Sequence, residues 1–226
     1  MTKRPQSKGT CLFCNKSFTR AGMTKHLMAC PERKKAHDRV KRKAPAQNHY
    51  HLTLVEERRP DYWLHIEMKG AASLEDLDTY LRCIWLECCG HMSQFFEGGF
   101  WKTDVAMSTT LNQIVKPGDS LFHIYDFGFE SRTIVTAVDV REEKPLTKHP
   151  IVLMARNDPV EFECMNCNQP ARRLCPECMI EDEESGMLCD ACAENHPHDN
   201  YGDPIPIANS PRVGLCGYTG PADPPY

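Results

Sequence analysis

Two stretches of the chain concentrate metal-ligand chemistry. The first, "CLFCNKSFTRAGMTKHLMAC", places Cys11 and Cys14 with two residues between them, then eleven residues, then His26 and Cys30 with three between. A thiol pair on a tight turn and a His/Cys pair one helical turn apart can converge on one tetrahedral Zn2+ whose four positions are all filled by protein. The second stretch, "CMNCNQPARRLCPECMIEDEESGMLCDACAENHPH", has the spacing C-x2-C, seven, C-x2-C, ten, C-x2-C, three, H-x-H. Its four ligand pairs suffice for two more closed sites. Short gaps favour a cross-braced wiring, with Cys164, Cys167, Cys189 and Cys192 on one metal and Cys175, Cys178, His196 and His198 on the other. A sequential wiring that joins neighbouring pairs is the alternative. Three Zn2+ per chain are expected, all structural, because zinc bound by such small units contributes about 10 to 16 kcal/mol of apparent binding to folding. Disulfides fit less well: the 13 cysteines are odd in number, eight of them sit in C-x2-C pairs, and no apolar leader follows "MTKRPQSKGT". Metal in a reducing cytoplasm is the expectation.

The first ligand set needs a hairpin followed by a helix. Phe18 lies four residues after Cys14 and Met23 three before His26, where a small ββα unit keeps its two core side chains. These residues resemble a CCHC-ligand variant of the ββα zinc-finger family, over about twenty residues. With His26 as the seventh helical residue, the base-reading positions are Thr19, Gly22 and Lys25, and Gly22 has no side chain to reach a base. Phosphate contact suits this finger better. Lys16, Arg20 and Lys25 lie on it, and "ERKKAHDRVKRK" adds Arg33, Lys34, Lys35, Arg39, Lys41, Arg42 and Lys43. Neutralising roughly six phosphates implies salt-sensitive, sequence-tolerant binding to DNA or RNA. A solvated basic segment without a partner is the bland alternative.

Past Pro45 the pattern changes to alternation. "YHLTLVEE" and "YWLHIEM" read as a hairpin around "RRPD", and "DSLFHIYDFG" with "RTIVTAVDVRE" as a second strand pair, with "IVLMA" as a last buried strand. Ser73 with Asp76 starts a helix whose Leu74, Leu77, Leu81, Ile84, Trp85 and Cys88 recur at helical spacing up to Gly90. The hairpin with Trp63, the helix "LEDLDTYLRCIWL", the following "HMSQFF" and "VKPGDSLFHIYDFG" resemble the Ri-plasmid open-reading-frame-3-like proteins, the passenger proteins of insertion elements, across residues 48–155. The resemblance implies an α+β fold and a mobile-element association, and it carries no settled activity. Its most specific piece, "YDFG" (Tyr125 to Gly128), runs here into Phe129, Glu130 and Ser131, where the family continues with an acid and then a Trp. "DFG" also occurs in the metal-binding turn of protein kinases, but neither a glycine-rich phosphate loop nor an HRD loop accompanies it. His91 and His123 near Asp126 are the acid/base candidates of this domain. Cys83, Cys88 and Cys89 read as core thiols.

The second zinc stretch resembles B-box-like cross-brace modules, which implies a rigid surface for protein contact. Four segments result: 1–45, basic finger and linker; 46–158, an α+β domain with a central antiparallel sheet and a packed amphipathic helix; 159–200, the two-zinc module; and 201–226, an extended Pro/Gly-rich tail. Cys216 is left over, either a ninth ligand replacing a histidine or a free thiol. Residues 1–45 hold 13 Lys and Arg against Glu32 and Asp38, a charge of +11, whereas the rest holds 14 against 29 acids, a charge of -15. Such a division suits two partners of opposite character. No run of about twenty apolar residues is present to cross a membrane. The expectation is a non-enzymatic adaptor holding nucleic acid at its basic end and a protein elsewhere. Its rivals are a pure protein-interaction module and an enzyme built on the central domain.

Overall fold

The computed structural model describes residues 6–40 and 43–226. The finger segment contains β1 (Lys8–Cys11), β2 (Ser17–Thr19), α1 (Arg20–Ala29) and α2 (Pro31–Asp38). There follow β3 (Gln47–Glu56), β4 (Trp63–Lys69), α3 (Leu74–Leu81), β5 (Ser93–Glu97), β6 (Thr103–Val105), α4 (Leu111–Ile114), β7 (Ser120–Tyr125), β8 (Ser131–Glu143) and β9 (Ile151–Asn157). The last part holds β10 (Arg173–Leu174), α5 (Pro176–Ile180), β11 (Met187–Leu188), α6 (Asp190–Glu194), β12 (Ile205–Pro206) and a 3-10 turn, Leu215–Gly217. The class is α+β and mostly antiparallel sheet. Among the described residues one sheet has the order β2-β1-β9-β4-β3-β8-β7-β5-β6, and a small one has the order β11-β10-β12.

Alternation along β3 and β4 divides the large sheet into two faces. Tyr50, Leu52, Leu54, Leu64, Ile66 and Met68 join Leu74, Leu77, Leu81, Ile84 and Trp85 in the main core. Each large side chain fully buried there contributes on the order of 1.5–3 kcal/mol. The helix starts where Ser73 and Asp76 predict: Asp76 N–H donates to Ser73 Oγ at 3.2 Å, and Ser73 N–H to Asp76 Oδ2 at 2.8 Å. It does not run regularly to Gly90. Residues Arg82–Leu86 widen into a π turn, closed by Glu87 N–H to the Arg82 carbonyl at 2.9 Å. Ile84, Trp85 and Leu86 are all buried, and three buried residues in a row exceed the apolar stripe of a regular helix. Arg82 holds the exit, donating to Asp78, Glu87, the His91 carbonyl and Ser93 at 2.7–2.8 Å.

The opposite face carries His49, His51, His65 and Glu67, which alternation alone would turn to water. All four are buried, because the N-terminal segment lies over them. The described residues 6–40 thus pack on the sheet of the central segment. β1 pairs with β9 (Gly9 opposite Asn157, Cys11 opposite Ala155), and Leu12 N–H donates to the Met154 carbonyl at 2.9 Å. Met23 and Leu27 of α1 share a core with Trp63, Met154 and Ala155. Gly9 is required at this joint: a Cβ there would run into the Arg156 carbonyl and the Trp63 ring. The tail also departs from a surface wrap, since Ser210, Arg212, Val213 and Tyr218 are buried.

Candidate metal centres

Within the finger, the Sγ atoms of Cys11, Cys14 and Cys30 and a ring nitrogen of His26 lie within 4.8 Å of one another. Cys14 Sγ is 3.2 Å from His26 Nε2. The hairpin turn presents the thiols: Asn15, at φ 57°, donates its N–H to the Cys11 carbonyl at 2.8 Å, and Cys11 N–H donates to the Lys16 carbonyl at 3.0 Å. Thr19 caps α1, accepting from Gly22 N–H at 3.4 Å, and the helix then brings His26 and Cys30 round to the same point. Phe18 stacks on the His26 ring at 4.3 Å and fixes its orientation. Burial, with Lys16 nearby, holds His26 below the usual imidazole range, which keeps it neutral as a ligand must be.

The C-terminal module repeats the same turn. Asn168, also at φ 57°, donates to the Cys164 carbonyl at 3.0 Å, and Cys164 N–H donates to the Gln169 carbonyl at 2.7 Å. The string C-x2-C-N at Cys11–Asn15 and at Cys164–Asn168 is thus a local signal for a metal-ligand turn, since Asn tolerates the left-handed region better than most residues. Spacing alone did not single it out. The side chains gather in the cross-braced partition, Cys164 with Cys167, Cys189 and Cys192, and Cys175 with Cys178, His196 and His198. Cys178 Sγ lies 3.2 Å from both His196 Nε2 and His198 Nδ1, and Cys167 Sγ 3.6 Å from Cys189 Sγ.

Electrostatics divide these thiols. Burial opposes ionisation of Cys164, but N–H donors of Cys189, Asn166 and Cys167 outweigh it and pull the thiol down to about 6. Burial pushes Cys178 up to about 12, with Cys175 and the acidic Asp182 and Glu184 adding to it. Crowding by Cys189, Cys167 and Cys164 takes Cys192 up to about 12 as well. A divalent ion reverses this balance, because it deprotonates coordinated thiols outright. Each of the three sets therefore matches the donor chemistry of a closed four-ligand metal site, with no protein-free position for a substrate.

The basic residues divide differently. Lys16, Arg20, Lys25, Lys34, Lys35, Arg39 and Lys43 are exposed, and Lys35 pairs with Glu32 at 2.8 Å. Lys41 and Arg42 lie outside the described residues. The expectation for Arg33 is corrected by its position. It is buried, donating from Nη2 to Glu67 at 2.7 Å and to Glu143 at 3.3 Å, with His37 3.2 Å from each carboxylate. The two acids lie on the sheet face that α2 covers, and a buried carboxylate needs a cation beside it. Burial opposes ionisation of Glu67, yet His37 and Arg33 bring it down to about 2. His37, Glu67 and Glu143 also lie close enough to bind an ion, but the Arg33 guanidinium already supplies the positive charge.

The acid/base candidates do not form one group. His123 is buried and 2.8 Å from Asp78. Asp126 makes an ion pair with Arg212 and accepts from Gly128 and Phe129 N–H at 3.0 and 3.2 Å. His91 lies 3.4 Å from Asp126 but also beside Cys89 and Cys216. Cys89 is exposed and so is not a core thiol, while Cys88 is half-buried against the main core; both gather with His91 and Cys216, and Cys83 stays outside this group.

No family model and no curated protein matches the chain. Among solved structures it is similar to a protein of unknown function from Methanosarcina mazei Go1, at 17% identity and a TM-score of 0.40, over 48% of this chain and 69% of that one. Among the described residues no helix is long and apolar enough to cross a membrane.

Proposed function

We propose that this chain is a non-enzymatic adaptor, held together by zinc, that grips nucleic-acid phosphates through its basic N-terminal face and a protein through the rest. Zinc is the ion best suited to closed sets of three Cys with one His, four Cys, and two Cys with two His. A reducing, cytoplasmic setting keeps those thiols available. The mobile-element setting rests on the resemblance of residues 48–155 alone.

One observation carries the nucleic-acid half. Docking uses the apolar side of α1, Met23 and Leu27, while Lys16, Arg20, Lys25 and Lys34 stay exposed. Because Arg33 is turned inward, phosphate binding depends on these cations, Arg39 and Lys43. The protein half is supported by the far edge of the sheet, where Met92, Trp101, Phe127 and Phe129 are exposed around β5, β6 and β7. Exposed apolar groups gathered in one place suit a protein contact.

The test is a salt series of binding to generic duplex DNA and to structured RNA, by the intact protein and by the variant K16E/R20E/K25E/K34E. These four surface changes leave stability within about 0.5 kcal/mol each, whereas deleting residues 1–45 would strip the sheet of its cover. Steep salt dependence in the parent is expected, with the slope in log salt falling by about 1 for each phosphate that the variant no longer neutralises. Equal slopes for both proteins, or no binding at low salt, would refute the nucleic-acid reading and leave a protein-interaction module.

A further inference from the structure

We propose that Cys88, Cys89, His91 and Cys216 form a fourth zinc site, which fastens the C-terminal tail to the α+β core. Three of these residues follow the π turn that ends α3, and the fourth comes from the 3-10 turn of the tail, 125 residues after His91. Their ligand atoms all lie within 4.8 Å of one another. Cys89 Sγ is 3.0 Å from His91 Nε2, Cys216 Sγ 3.4 Å from the same nitrogen, and Cys88 Sγ 3.6 Å from Cys89 Sγ. Zinc–ligand bonds of about 2.3 Å to sulfur and 2.0 Å to nitrogen, set tetrahedrally, separate ligand atoms by about 3.5–3.8 Å. The other three sets show similar separations, 3.2 Å for Cys14 with His26, 3.6 Å for Cys167 with Cys189 and 3.2 Å for Cys178 with His196.

The surroundings fit a metal better than a disulfide. All the cysteines are unbridged, and 3.6 Å between Cys88 and Cys89 is far from the roughly 2.05 Å of an S–S bond. Three thiolates around a dication leave a net charge of -1, and the buried Arg212 faces it. Arg212 Nη2 lies 3.6 Å from Cys88 Sγ and 3.5 Å from Cys216 Sγ. Its position is set by Asp126, by the Phe129 carbonyl at 2.6 Å and by Ser131 Oγ at 3.2 Å. A donor held in place behind the sulfurs is the usual support of a metal–thiolate site. Asp126, the one acid of the "YDFG" strand end, therefore acts by orienting Arg212. The sulfurs of Cys89 and Cys216 are on exposed residues, so an ion reaches the site from solvent without opening the core.

The zinc stoichiometry of the intact protein, reconstituted with Zn2+ under reducing conditions and weighed by native mass spectrometry, tests this directly. C216S and C89S should each bind one zinc fewer than the parent, and C83S should match the parent. An unchanged stoichiometry in C216S and C89S would overturn the site. A second measurement needs no variant: alkylation of the zinc-loaded parent, mapped by peptide mass. Cys88, Cys89 and Cys216 should react about tenfold or more slowly than after chelation. Reaction of Cys89 and Cys216 at the same rate with and without chelator would refute the proposal. Neither readout involves nucleic acid, so the site and the adaptor reading stand or fall separately.

Discussion

The finger at one end of the chain and the cross-braced module at the other use the same ligand turn, yet they are supported in opposite ways. Around the finger, β1 is a strand of the large sheet, and Cys11 and Cys30 share their core with Trp63, Met154 and Ala155. In the module, the apolar cluster is Cys164, Cys175 and Cys178 themselves with Leu188, and the strands are two residues long. A bound metal would therefore be one support among several at the N-terminus and the main support at the C-terminus. Identical ligand chemistry does not imply identical dependence on the ion.

Removing metal should break the comparison most visibly. Under a strong chelator in reductant, amide exchange across residues 164–198 should rise to the unfolded rate, because the module loses a term of about 10–16 kcal/mol per zinc. The amides of Leu12 and Asp158, which donate to the Met154 and Lys8 carbonyls across the β1–β9 joint, should keep part of their protection. Equal loss at both ends would refute the distinction. Arg33→Met comes next: it leaves Glu67 buried with only the imidazoles of His37 and His49 beside it, and should lower stability by about 3–5 kcal/mol. In denaturant titration the double variant R33M/E67L should recover most of that loss, and a purely additive effect would show that the pair is not the cause. The smallest effect concerns pH. His51 Nε2 and His65 Nδ1 are 2.9 Å apart, so one ring donates and the other accepts. Burial, with each other's charge and Arg141 and Arg33 contributing, takes His51 down to about 3, and burial takes His65 down to about 4. The unfolded chain binds protons there near pH 6.5 and the folded one does not, so this stability is complete above pH 6.5 and falls as pH drops toward 4. A shallower fall in melting temperature from about pH 6.5 to about pH 5 in H51Q/H65Q than in the parent is the expected result; an unchanged slope would remove these histidines from the account.

Much of this architecture is legible residue by residue. Ligand sets whose members lie within one turn, hairpin or short helix announce themselves by spacing, because a few covalent bonds limit where Cys11 and Cys14, or His26 and Cys30, can go. The Ser73 cap and the β3–β4 hairpin are local in the same sense. What could not be read were choices between equal-looking residues. Arg33 stands among seven Lys and Arg in "ERKKAHDRVKRK", and nothing local distinguishes the one that turns inward. The polar face of β3 and β4 reads as solvent-facing because its cover comes from a segment before it. The Cys88, Cys89, His91 and Cys216 group joins ligands from opposite ends of a 125-residue span, which no spacing rule reaches.

By itself, the sequence determined three of the Cys/His groupings, the hairpin and capped helix, the α+β class and the division of charge between the ends. These depend on neighbours within one turn or one hairpin, where chain geometry restricts the options. Only the tertiary structure decided that the finger completes the sheet, that Arg33 is a buried counter-ion and not a phosphate contact, and that the tail returns with Arg212 and Cys216. Those outcomes depend on which distant surface excludes water, a property of the whole packed chain.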